Sequence, residues 1–473
     1  MIKDIRKITL VNPYFQKQAQ AIAQITVGPP LGLAYIASAL ERNGYTVNII
    51  DANAERLSVE ETVFRILESK PDLAGFSAVT PTIDICHQLA EKIKKEKSAI
   101  VTVAGGIHPS SLPEETLQEC AGFDFLIRGE GELVLVQLLG ALNNNIALDD
   151  IKGLAYRNSG KIIVNGTADS IDNLDELGFP ARHLLKNALY KTFDSARMTS
   201  IIAMRGCPAS CIYCAVSLVA GRKCRKRSPS HVIEEVETCS HKYKINFIAF
   251  LDDTFTFDKL WVHQLCDEFI RSGLNRRIKW SCLTRVDNVD LDLLRHMKQA
   301  GCTRVELGIE SGSQKILDYA KKGISLQQTK EAFSIAKEAG LSTMGFVMLN
   351  VPGEDKDTIL ATKKLIMELE PDFLQVSFAT PYPGTELFET CKRENLLTSR
   401  DWSKYLFLNN QIIKNPAISE DELKELMWDI QRSFYLRPKY LFFILIYILK
   451  NPANIRTILW ASINAIKKLI FKK

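Results

Sequence analysis

The sequence lacks the features of membrane-spanning and secreted proteins. Its apolar run Tyr440–Leu449 has only ten residues, whereas a helix that crosses a bilayer needs about 20. The N-terminal segment Met1–Lys7 is charged, and Ile8–Asn12 has the pattern of a β-strand and not that of a secretory leader. We therefore expect the chain in a reducing compartment, the cytoplasm, where its eleven cysteines serve metals or chemistry and not disulfides.

Acidic residues are absent from the C-terminal segment Ile430–Lys473, which contains nine lysines and arginines. The whole chain has a net charge of +5, so the remainder carries about −4. A basic body that binds nucleic acid is therefore not expected. With 46% hydrophobic and 24% charged residues, the composition is that of a folded protein, and 473 residues suffice for two or three domains.

No Gly-x-Gly-x-x-Gly motif follows the first strand pattern, so a dinucleotide-binding domain is not favoured. Residues 1–145 nevertheless alternate five strand patterns with helix patterns, which predicts an α/β domain with a doubly wound parallel sheet of the flavodoxin-like type. Ligands of such sheets bind beyond the carboxyl ends of the strands, where small residues allow close approach to the backbone. The residues of interest there are Asn12, Ser77, Thr80, Gly105, Gly106, His108, Gly129 and Glu130.

Three cysteines, Cys207, Cys211 and Cys214, stand close together on a predicted loop after a short apolar strand pattern. Clustered thiolates suit a zinc ion or an iron–sulfur cluster. A structural zinc site needs a fourth ligand, and the nearest candidates, Cys224 and His231, do not form a second pair at the usual spacing. Three ligands favour a cluster with one iron open to a substrate. The other cysteines are expected to be packing residues.

From residue 199 onward, six further strand patterns alternate with helix patterns, two fewer than in a complete barrel. The pattern predicts an open (β/α)6 barrel over residues 199–400, with function at the carboxyl ends of its strands. Residues 146–198 are predicted to connect the two domains, and residues 401–473 to form a helical region with a basic tail.

The spacing Cys207-x3-Cys211-x2-Cys214, with Tyr213 before its last cysteine, resembles the signature of radical S-adenosylmethionine enzymes. The resemblance implies a [4Fe–4S] cluster on these three cysteines, whose fourth iron binds the methionine moiety of S-adenosylmethionine. It places Tyr213 among the residues that contact this cofactor.

The same resemblance gives roles to the polar residues at the barrel's strand ends. Asp252 and Asp253 stand where the methionine amino group is received, and Arg285 stands where a basic residue meets its carboxylate. The sulfonium, the ribose and the backbone of the cofactor are expected at Glu306, Gly308, Glu310 and Ser311.

The first 145 residues resemble the cobalamin-binding domain that precedes the radical domain in one large subfamily. The likeness rests on Gly105-Gly-x-His108-Pro and Arg128-Gly-Glu-Gly-Glu132, and it implies that the strand-end residues named above contact cobalamin. The Asp-x-His-x-x-Gly motif, whose histidine ligates cobalt in other cobalamin proteins, is absent. The lower face of the cobalamin is therefore expected to be open or capped by another group, with His108 more often a hydrogen-bonding loop residue than a cobalt ligand.

Together these resemblances span about residues 5–400 and imply a cobalamin-dependent radical methyltransferase. In that family a 5′-deoxyadenosyl radical abstracts hydrogen from an unactivated carbon and methylcobalamin supplies the methyl group, while the protein orients the substrate and excludes solvent. The implied partners are a small-molecule substrate and an external electron donor of the flavodoxin or ferredoxin type. No nucleic-acid partner is expected.

Other functions remain open at this point. The same cofactors can serve cyclisation, oxidation or carbon–carbon bond formation without net methylation, and a non-catalytic carrier or sensor of cobalamin or an iron–sulfur cluster is a further alternative. A tRNA methylthiotransferase is less favoured, because the N-terminal domain has only Cys86 and Cys120 where that family has three further cluster cysteines.

The C-terminal tail has two interpretations. After Pro452, isoleucines and leucines recur at helical spacing beside basic residues and Trp460, which is typical of a helix on an anionic membrane surface. A tail at the inner face of the membrane would suit a lipid-like, isoprenoid or pigment substrate. The alternative is a helical cap whose apolar stripe packs on the barrel.

Overall fold

The computed structural model describes residues 4–15, 28–192, 196–406 and 410–450. These residues form a seven-stranded sheet, a six-stranded sheet, a small two-stranded sheet and surrounding helices. The predicted stripe of the tail beyond residue 450 lies outside the described residues. Within the described part of the chain, no helix combines the length and the apolar character needed to cross a bilayer.

The N-terminal sheet is the predicted doubly wound sheet. Its five parallel strands stand in the order β2-β1-β3-β4-β5, and hydrophobic residues pack against helices on both of its faces. The strands are β1 (Lys7–Asn12), β2 (Thr46–Asp51), β3 (Leu73–Ser77), β4 (Val101–Gly105) and β5 (Phe125–Ile127). The helices are α1 (Leu31–Arg42), α2 (Ala52–Glu55), α3 (Val59–Glu68), α4 (Ile83–Glu96), α5 (Ile107–Ser111), α6 (Pro113–Glu119) and α7 (Gly131–Asn144).

A β-hairpin follows, formed by β6 (Leu154–Asn158) and β7 (Lys161–Val164). Its two-residue turn has positive φ angles at Ser159 and Gly160, of 50° and 78°, which suits the right-handed twist of a hairpin. The strand β6 pairs antiparallel with β5. This part of the predicted connector is therefore continuous with the N-terminal sheet.

The second sheet is the predicted open barrel of six parallel strands. Among these six strands the order in space follows the order in the chain, because each barrel strand pairs with the next barrel strand. The strands are β8 (Met198–Ile201), β11 (Phe247–Phe250), β12 (Lys279–Thr284), β13 (Cys302–Glu310), β14 (Ser342–Leu349) and β15 (Phe373–Phe378). A short antiparallel pair, β9 (Met204–Arg205) and β10 (Arg225–Lys226), stands beside the first strand.

The helices of the barrel cover its outer face. They are α8 (Pro229–Tyr243), α9 (Lys259–Arg271), α10 (Leu291–Gln299), α11 (Gln314–Tyr319), α12 (Leu326–Glu338), α13 (Lys356–Leu369) and α14 (Glu386–Arg393). Several begin at side-chain caps, as at Asp355, whose carboxylate accepts from the Thr358 N–H. Trp280 is fully buried beneath these helices and contacts the rings of Phe250 and Phe269.

Two C-terminal helices follow, α15 (Glu420–Tyr435) and α16 (Pro438–Lys450). The apolar side of α15, including Leu423 and Phe434, is buried in the core of the barrel. This helix therefore caps the barrel. In α16, by contrast, Leu441, Phe442 and Leu445 are 43%, 62% and 51% exposed.

Candidate active site

The three predicted cluster cysteines lie on one loop at the carboxyl end of the first barrel strand. Cys207 and Cys211 are half-buried, and Cys214 is exposed. The loop begins at Gly206, which has a φ angle of 92° and whose Cα faces the Lys223 carbonyl so closely that a side chain has no room. The backbone conformation of the loop therefore depends on glycine at this position.

The next strand end anchors this loop through three consecutive residues. Asp252 Oδ1 accepts from the N–H groups of Ala203, at 2.8 Å, and of Met204. Asp253 Oδ2 accepts from the Gly206 N–H at 3.1 Å. Together the two carboxylates hold the chain that enters the cysteine loop.

Thr254 completes this anchor, because its Oγ1 lies 3.5 Å from the Cys207 sulfur. Thr254 belongs to the same strand-end motif as the two aspartates, although no separate role is predicted for its hydroxyl from the sequence. Burial raises the pKa of Asp252 to about 7, although the two N–H donors partly offset this increase. The Asp252 Oδ2 atom has no hydrogen-bond partner among the described residues, so one carboxylate oxygen is left for the amino group predicted there. That contact stays a prediction.

Arg285 lies beside the second cysteine of the loop. Its Nη1 is 3.8 Å from the Cys211 sulfur, while Nε and Nη2 each donate to the Asp287 carboxylate at 2.9 Å. The guanidinium also donates to the Lys322 carbonyl at 2.7 Å. The predicted carboxylate-binding residue is thus held in place by Asp287, a residue that carried no signal in the sequence.

Glu310 faces the same loop from the end of β13. Its φ angle of 60° coincides with an irregularity in the pairing of β13 with β14, and such strain is typical of functional sites. Its carboxylate pairs with Lys322 Nζ at 2.7 Å. Burial, and then the charges of Glu310 and Cys211, raise the pKa of Tyr213 well above its usual value. Tyr213, Glu310 and Cys211 therefore interact with one another, and their contacts with the cofactor stay predictions.

The other two predicted residues, Glu306 on β13 and Ser311 after it, already have partners within the protein. Glu306 pairs with Arg304 at 2.8 Å, two residues away on the same strand. Ser311 is buried, and its hydroxyl lies 3.2 Å from the Thr362 hydroxyl. Neither residue contacts the cysteine loop in the hydrogen bonds and ion pairs of the described chain.

Three thiols on one loop form a donor set that suits an iron–sulfur cluster. In a [4Fe–4S] cluster each thiolate binds a different iron, so the three sulfur atoms need not meet at one point. Cys211 and Cys214 are neighbours, because the Cys214 N–H donates to the Cys211 carbonyl at 3.2 Å.

The carboxyl edge of the N-terminal sheet is lined by small residues and backbone. Gly106 has a φ angle of 116°, and a Cβ there would lie 2.7 Å from the Ala78 carbonyl oxygen. Gly129 has a φ angle of 79° and its N–H donates to Ser110 at 3.0 Å. Ser77 and Gly105 end neighbouring strands, at paired positions. This edge is shaped for close approach of a ligand to the backbone.

Asn12 and Thr80 at this edge have partners within the protein, whereas the buried Nε2 atom of His108 has none among the described residues. Asn12 donates to Asp51 at 2.8 Å. Buried His108 lies 3.3 Å from the Thr80 hydroxyl through Nδ1, and Trp402 packs edge-on against its ring with centroids 5.1 Å apart. Burial lowers the pKa of His108 to about 3, so the ring is neutral. Whether His108 contacts cobalamin or is only a loop residue stays a prediction.

Glu130 is predicted to contact cobalamin, and that contact stays a prediction. Both of its carboxylate oxygens already have partners within the protein. Arg225 donates to it at 2.7 and 3.0 Å, Arg205 at 2.9 Å, and the Ile171 N–H at 2.9 Å. Sequence patterns did not reveal this role, because the arginine partners lie 75 and 95 residues away along the chain.

Comparison with known proteins identifies both halves of the chain. The family described as B12 binding domain matches residues 25–139, and the Radical SAM superfamily matches residues 201–366. A protein of Pyrococcus horikoshii described as an uncharacterized methyltransferase is 36% identical, over 92% of this chain and 94% of its own. The anaerobic magnesium-protoporphyrin IX monomethyl ester cyclase of Cereibacter sphaeroides is 30% identical, over 91% of this chain and 70% of its own.

The fold is also that of a solved enzyme. The radical S-adenosylmethionine methyltransferase TsrM from Kitasatospora setae, solved with cobalamin and a [4Fe–4S] cluster bound, superposes with a TM-score of 0.73. It is 17% identical, and the match covers 92% of this chain and 90% of that chain.

These matches confirm the predicted fold and the predicted cofactors, namely a [4Fe–4S] cluster, S-adenosylmethionine and cobalamin. They also confirm the prediction of a radical enzyme of the methyltransferase kind. Because the two domains occur in this order and a 36% identical relative matches over nearly its whole length, the chain belongs to the cobalamin-binding radical S-adenosylmethionine enzymes.

Proposed function

We propose that this enzyme methylates an unactivated carbon of an apolar small molecule. The observation that carries the proposal is the presence of both domains in one chain, with the cysteine loop packed beside the N-terminal domain. A relative and a structural neighbour are both described as methyltransferases, which supports methyl transfer. When bound, the cluster and S-adenosylmethionine supply a hydrogen-abstracting radical, and cobalamin carries the methyl group.

We assign the cluster to Cys207, Cys211 and Cys214. The support is their common loop and the anchors that Asp252 and Asp253 provide for it. We assign the contacts with S-adenosylmethionine to residues that surround this loop in the fold, with the Asp252 Oδ2 atom as the acceptor for the methionine amino group. The remaining residues of this set are Tyr213, Asp253, Arg285 and Glu310. Glu306 and Ser311, which have partners away from the loop, are assigned to the cofactor by resemblance alone.

The concave face of the barrel supports an apolar substrate. In a parallel barrel, alternate residues of each strand face the helices or the interior. Cys282 packs under the helices, whereas its neighbour Leu283 faces the other way and is 38% exposed. Leu251, at the end of the preceding strand, is 54% exposed. Partly exposed large apolar side chains at a barrel mouth are suited to cover an apolar ligand.

The strand β14 extends this apolar face. Met344 and Phe346 alternate with buried residues and are themselves half-buried. On the neighbouring strand, Arg304 Nη2 lies 2.8 Å from Glu306 Oε1, so the opposite charges of these two side chains cancel. A substrate such as a lipid, an isoprenoid or a pigment is therefore favoured over a highly charged one.

The experiment uses a deletion strain as the source of unmethylated substrate. Its apolar extract is incubated with the reconstituted enzyme, a reductant, and S-adenosylmethionine carrying a trideuterated methyl group. We expect an apolar product that has gained the labelled methyl group. Label confined to polar metabolites would contradict the substrate class.

Cyclisation without methylation is the second candidate, because one relative at 30% identity is described as a cyclase. The same incubation separates the two functions. An apolar compound that loses hydrogen without gaining label would favour cyclisation and contradict methyl transfer.

We also propose that a flavodoxin- or ferredoxin-type protein docks at the cysteine loop. Cys214 is exposed there, and the exposed Arg222 donates to the Ala209 carbonyl of the same loop at 2.8 Å. A cation on the rim attracts an acidic partner and raises its association rate. Arg222→Gln is expected to slow reduction by flavodoxin, most strongly at low salt, and to leave reduction by dithionite unchanged. Equal rates with flavodoxin would contradict this docking site.

For the tail we propose peripheral contact with the inner face of the membrane. Tyr440 attaches the start of α16 to the body of the protein, with its ring 5.5 Å from that of Phe434. The following turns expose Leu441, Phe442 and Leu445. Adjacent exposed apolar residues, continued by a basic segment, are typical of helices at anionic lipid surfaces.

The membrane proposal is tested by co-sedimentation with vesicles. We expect binding to vesicles that contain phosphatidylglycerol, weaker binding to neutral vesicles, and loss of binding on Phe442→Glu. Lys152→Glu, on the exposed face of the hairpin region, is the control variant and is expected to bind normally. Failure of the intact chain to bind anionic vesicles would favour the packing cap.

A further inference from the structure

A buried group of four charged side chains joins the two domains beside the cysteine loop. We call Glu130, Glu132, Arg205 and Arg225 the arginine clamp. The two glutamates belong to the N-terminal domain, at the start of α7, and the arginines belong to the paired strands β9 and β10. The side chains of Glu130, Glu132 and Arg225 are 4%, 4% and 2% exposed.

The clamp is fully connected by charged hydrogen bonds. Arg205 bridges the two glutamates, with Nη1 2.9 Å from Glu130 and Nη2 2.7 Å from Glu132. Arg225 forms a bidentate pair with Glu130 at 2.7 and 3.0 Å. Such bidentate pairs fix orientation as well as distance, because the guanidinium is planar and rigid.

The charge balance explains why the group is stable inside the protein. Arg205 and Arg225 stand opposite each other in the antiparallel pair, where like charges repel. The two glutamates neutralise them, and the arginines lower the pKa of Glu130 although burial alone would raise it. Removing one member leaves a buried charge without its partner, which is costly.

Very short stretches of chain join the clamp to both predicted cofactor regions. Glu130 directly follows Gly129 at the carboxyl edge of the N-terminal sheet. Arg205 is separated from Cys207 only by Gly206, whose conformation is fixed by Lys223 and Asp253. One layer of side chains therefore connects the edge of the N-terminal sheet to the cysteine loop.

We propose that Glu130 and Glu132 are positioning residues that set the separation and orientation of the cysteine loop relative to the cobalamin domain. The inference rests on the proposed function, because methyl transfer requires both cofactor regions to face one substrate. Hydrogen abstraction needs the cysteine loop alone, whereas methylation needs the correct relation between the domains. Loosening the clamp should therefore uncouple the first event from the second.

The main variant is Glu132→Gln, because Glu132 has a single partner in the clamp and Glu130 keeps the arginines partly neutralised. We expect normal iron and cobalamin contents. The methylated product per 5′-deoxyadenosine should fall about tenfold or more, in line with the cost of a misplacement of about 1 Å. Glu132→Asp keeps the charge and is expected to restore part of the coupling.

A second readout needs no substrate. In the reduced enzyme, the cluster and cob(II)alamin are both paramagnetic, and the dipolar coupling between their spins falls steeply with distance. Electron paramagnetic resonance of Glu132→Gln should show a changed or broadened distribution of this coupling. The control is Asp169→Asn, which breaks the exposed pair of Asp169 with Lys152, 2.9 Å apart, and should match the wild type.

The outcomes are distinct. Unchanged spin coupling and unchanged product yield in both Glu132→Gln and Glu130→Gln would overturn the proposal. Loss of both cofactors in Glu132→Gln would also overturn it, because the residue would then serve folding only. If the wild-type enzyme forms no methylated product, the proposed function fails, while the spin coupling still tests the clamp.

Discussion

The two sheet edges that are predicted to face the cofactors are built in opposite ways. The edge of the barrel carries charged and polar side chains, of which Asp252 and Asp253 anchor the cysteine loop and Arg285 lies beside it. The edge of the N-terminal sheet carries small residues, such as Gly106 and Gly129, whose contribution is open space beside the backbone. The first edge suits a small reactive group that is held by ligands, and the second suits a large ligand that is accommodated by shape.

We therefore expect that a substitution at one edge impairs binding of the cofactor at that edge and leaves the other cofactor bound. The largest effect is expected at the cysteine loop. Cys207→Ala should reduce 5′-deoxyadenosine formation to background, because a thiolate ligand of the cluster is lost, while the cobalamin content stays normal. The matched control is Cys224→Ala, a nearby half-buried cysteine outside the triad, which should retain activity. Loss of cobalamin together with the cluster would mean that the two edges are not separable.

Gly106→Ala is expected to have the opposite effect, which is loss of cobalamin with the cluster retained. A side chain there meets the Ala78 carbonyl at 2.7 Å in a backbone conformation that L-residues rarely adopt. Such strain costs about 1–3 kcal/mol, so we expect cobalamin occupancy to fall by about tenfold with the iron content unchanged. Gly160→Ala, also at a positive φ but facing open space, is the control. Normal cobalamin binding in Gly106→Ala, measured by absorbance after gel filtration, would contradict the account of this edge.

A smaller effect is expected when one anchor of the cysteine loop is removed. Asp253→Ala leaves the buried Gly206 N–H without its acceptor, which costs about 1–3 kcal/mol. The iron content should therefore fall several-fold. Asp253→Asn retains an oxygen acceptor and should keep the cluster. A raised KM for S-adenosylmethionine in Asp253→Asn would indicate that Asp253 also contacts the cofactor directly. An unchanged KM would indicate that Asp253 only anchors the loop.

The smallest effect concerns Glu354, which accepts from the Asn350 N–H at 2.5 Å in the loop after β14. Burial raises the pKa of Glu354 to about 8 from its ordinary 4.5. Because the folded state holds this proton more tightly, the wild type loses stability as the pH rises from about 4.5 to about 8.

Glu354→Gln removes that titration. Its melting temperature relative to the wild type should therefore increase between those pH values by about 3 °C or more, as expected for about 1 kcal/mol in a large domain. Differential scanning fluorimetry over this range measures the effect. A constant difference between the two proteins at all pH values would contradict the raised pKa.

The sequence predicted the fold well because its signals are local. Apolar runs such as Leu73–Ala78 and Thr343–Leu349 predict buried parallel strands, and the spacing of the three cysteines predicts a metal-binding loop. These features depend on neighbours within a few residues. The order of the elements then suffices to predict an N-terminal doubly wound sheet and an open barrel.

Other parts of the site depend on distant contacts and could not be read from local patterns. Glu130 pairs with Arg205 and Arg225, and the His108 ring packs on Trp402 from the region after the barrel. The positive φ of Glu310, which directs it toward Lys322, also follows from strand pairing and not from its own residue type. Such roles require the three-dimensional arrangement.

The central claim, methyl transfer by two cooperating domains, is tested most directly by product stoichiometry. The reconstituted wild-type enzyme is given substrate, reductant and S-adenosylmethionine, and 5′-deoxyadenosine and S-adenosylhomocysteine are measured together with the labelled product. The account predicts equal amounts of all three, because one molecule of S-adenosylmethionine provides the radical and another provides the methyl group. Formation of 5′-deoxyadenosine and a changed substrate without S-adenosylhomocysteine would contradict it.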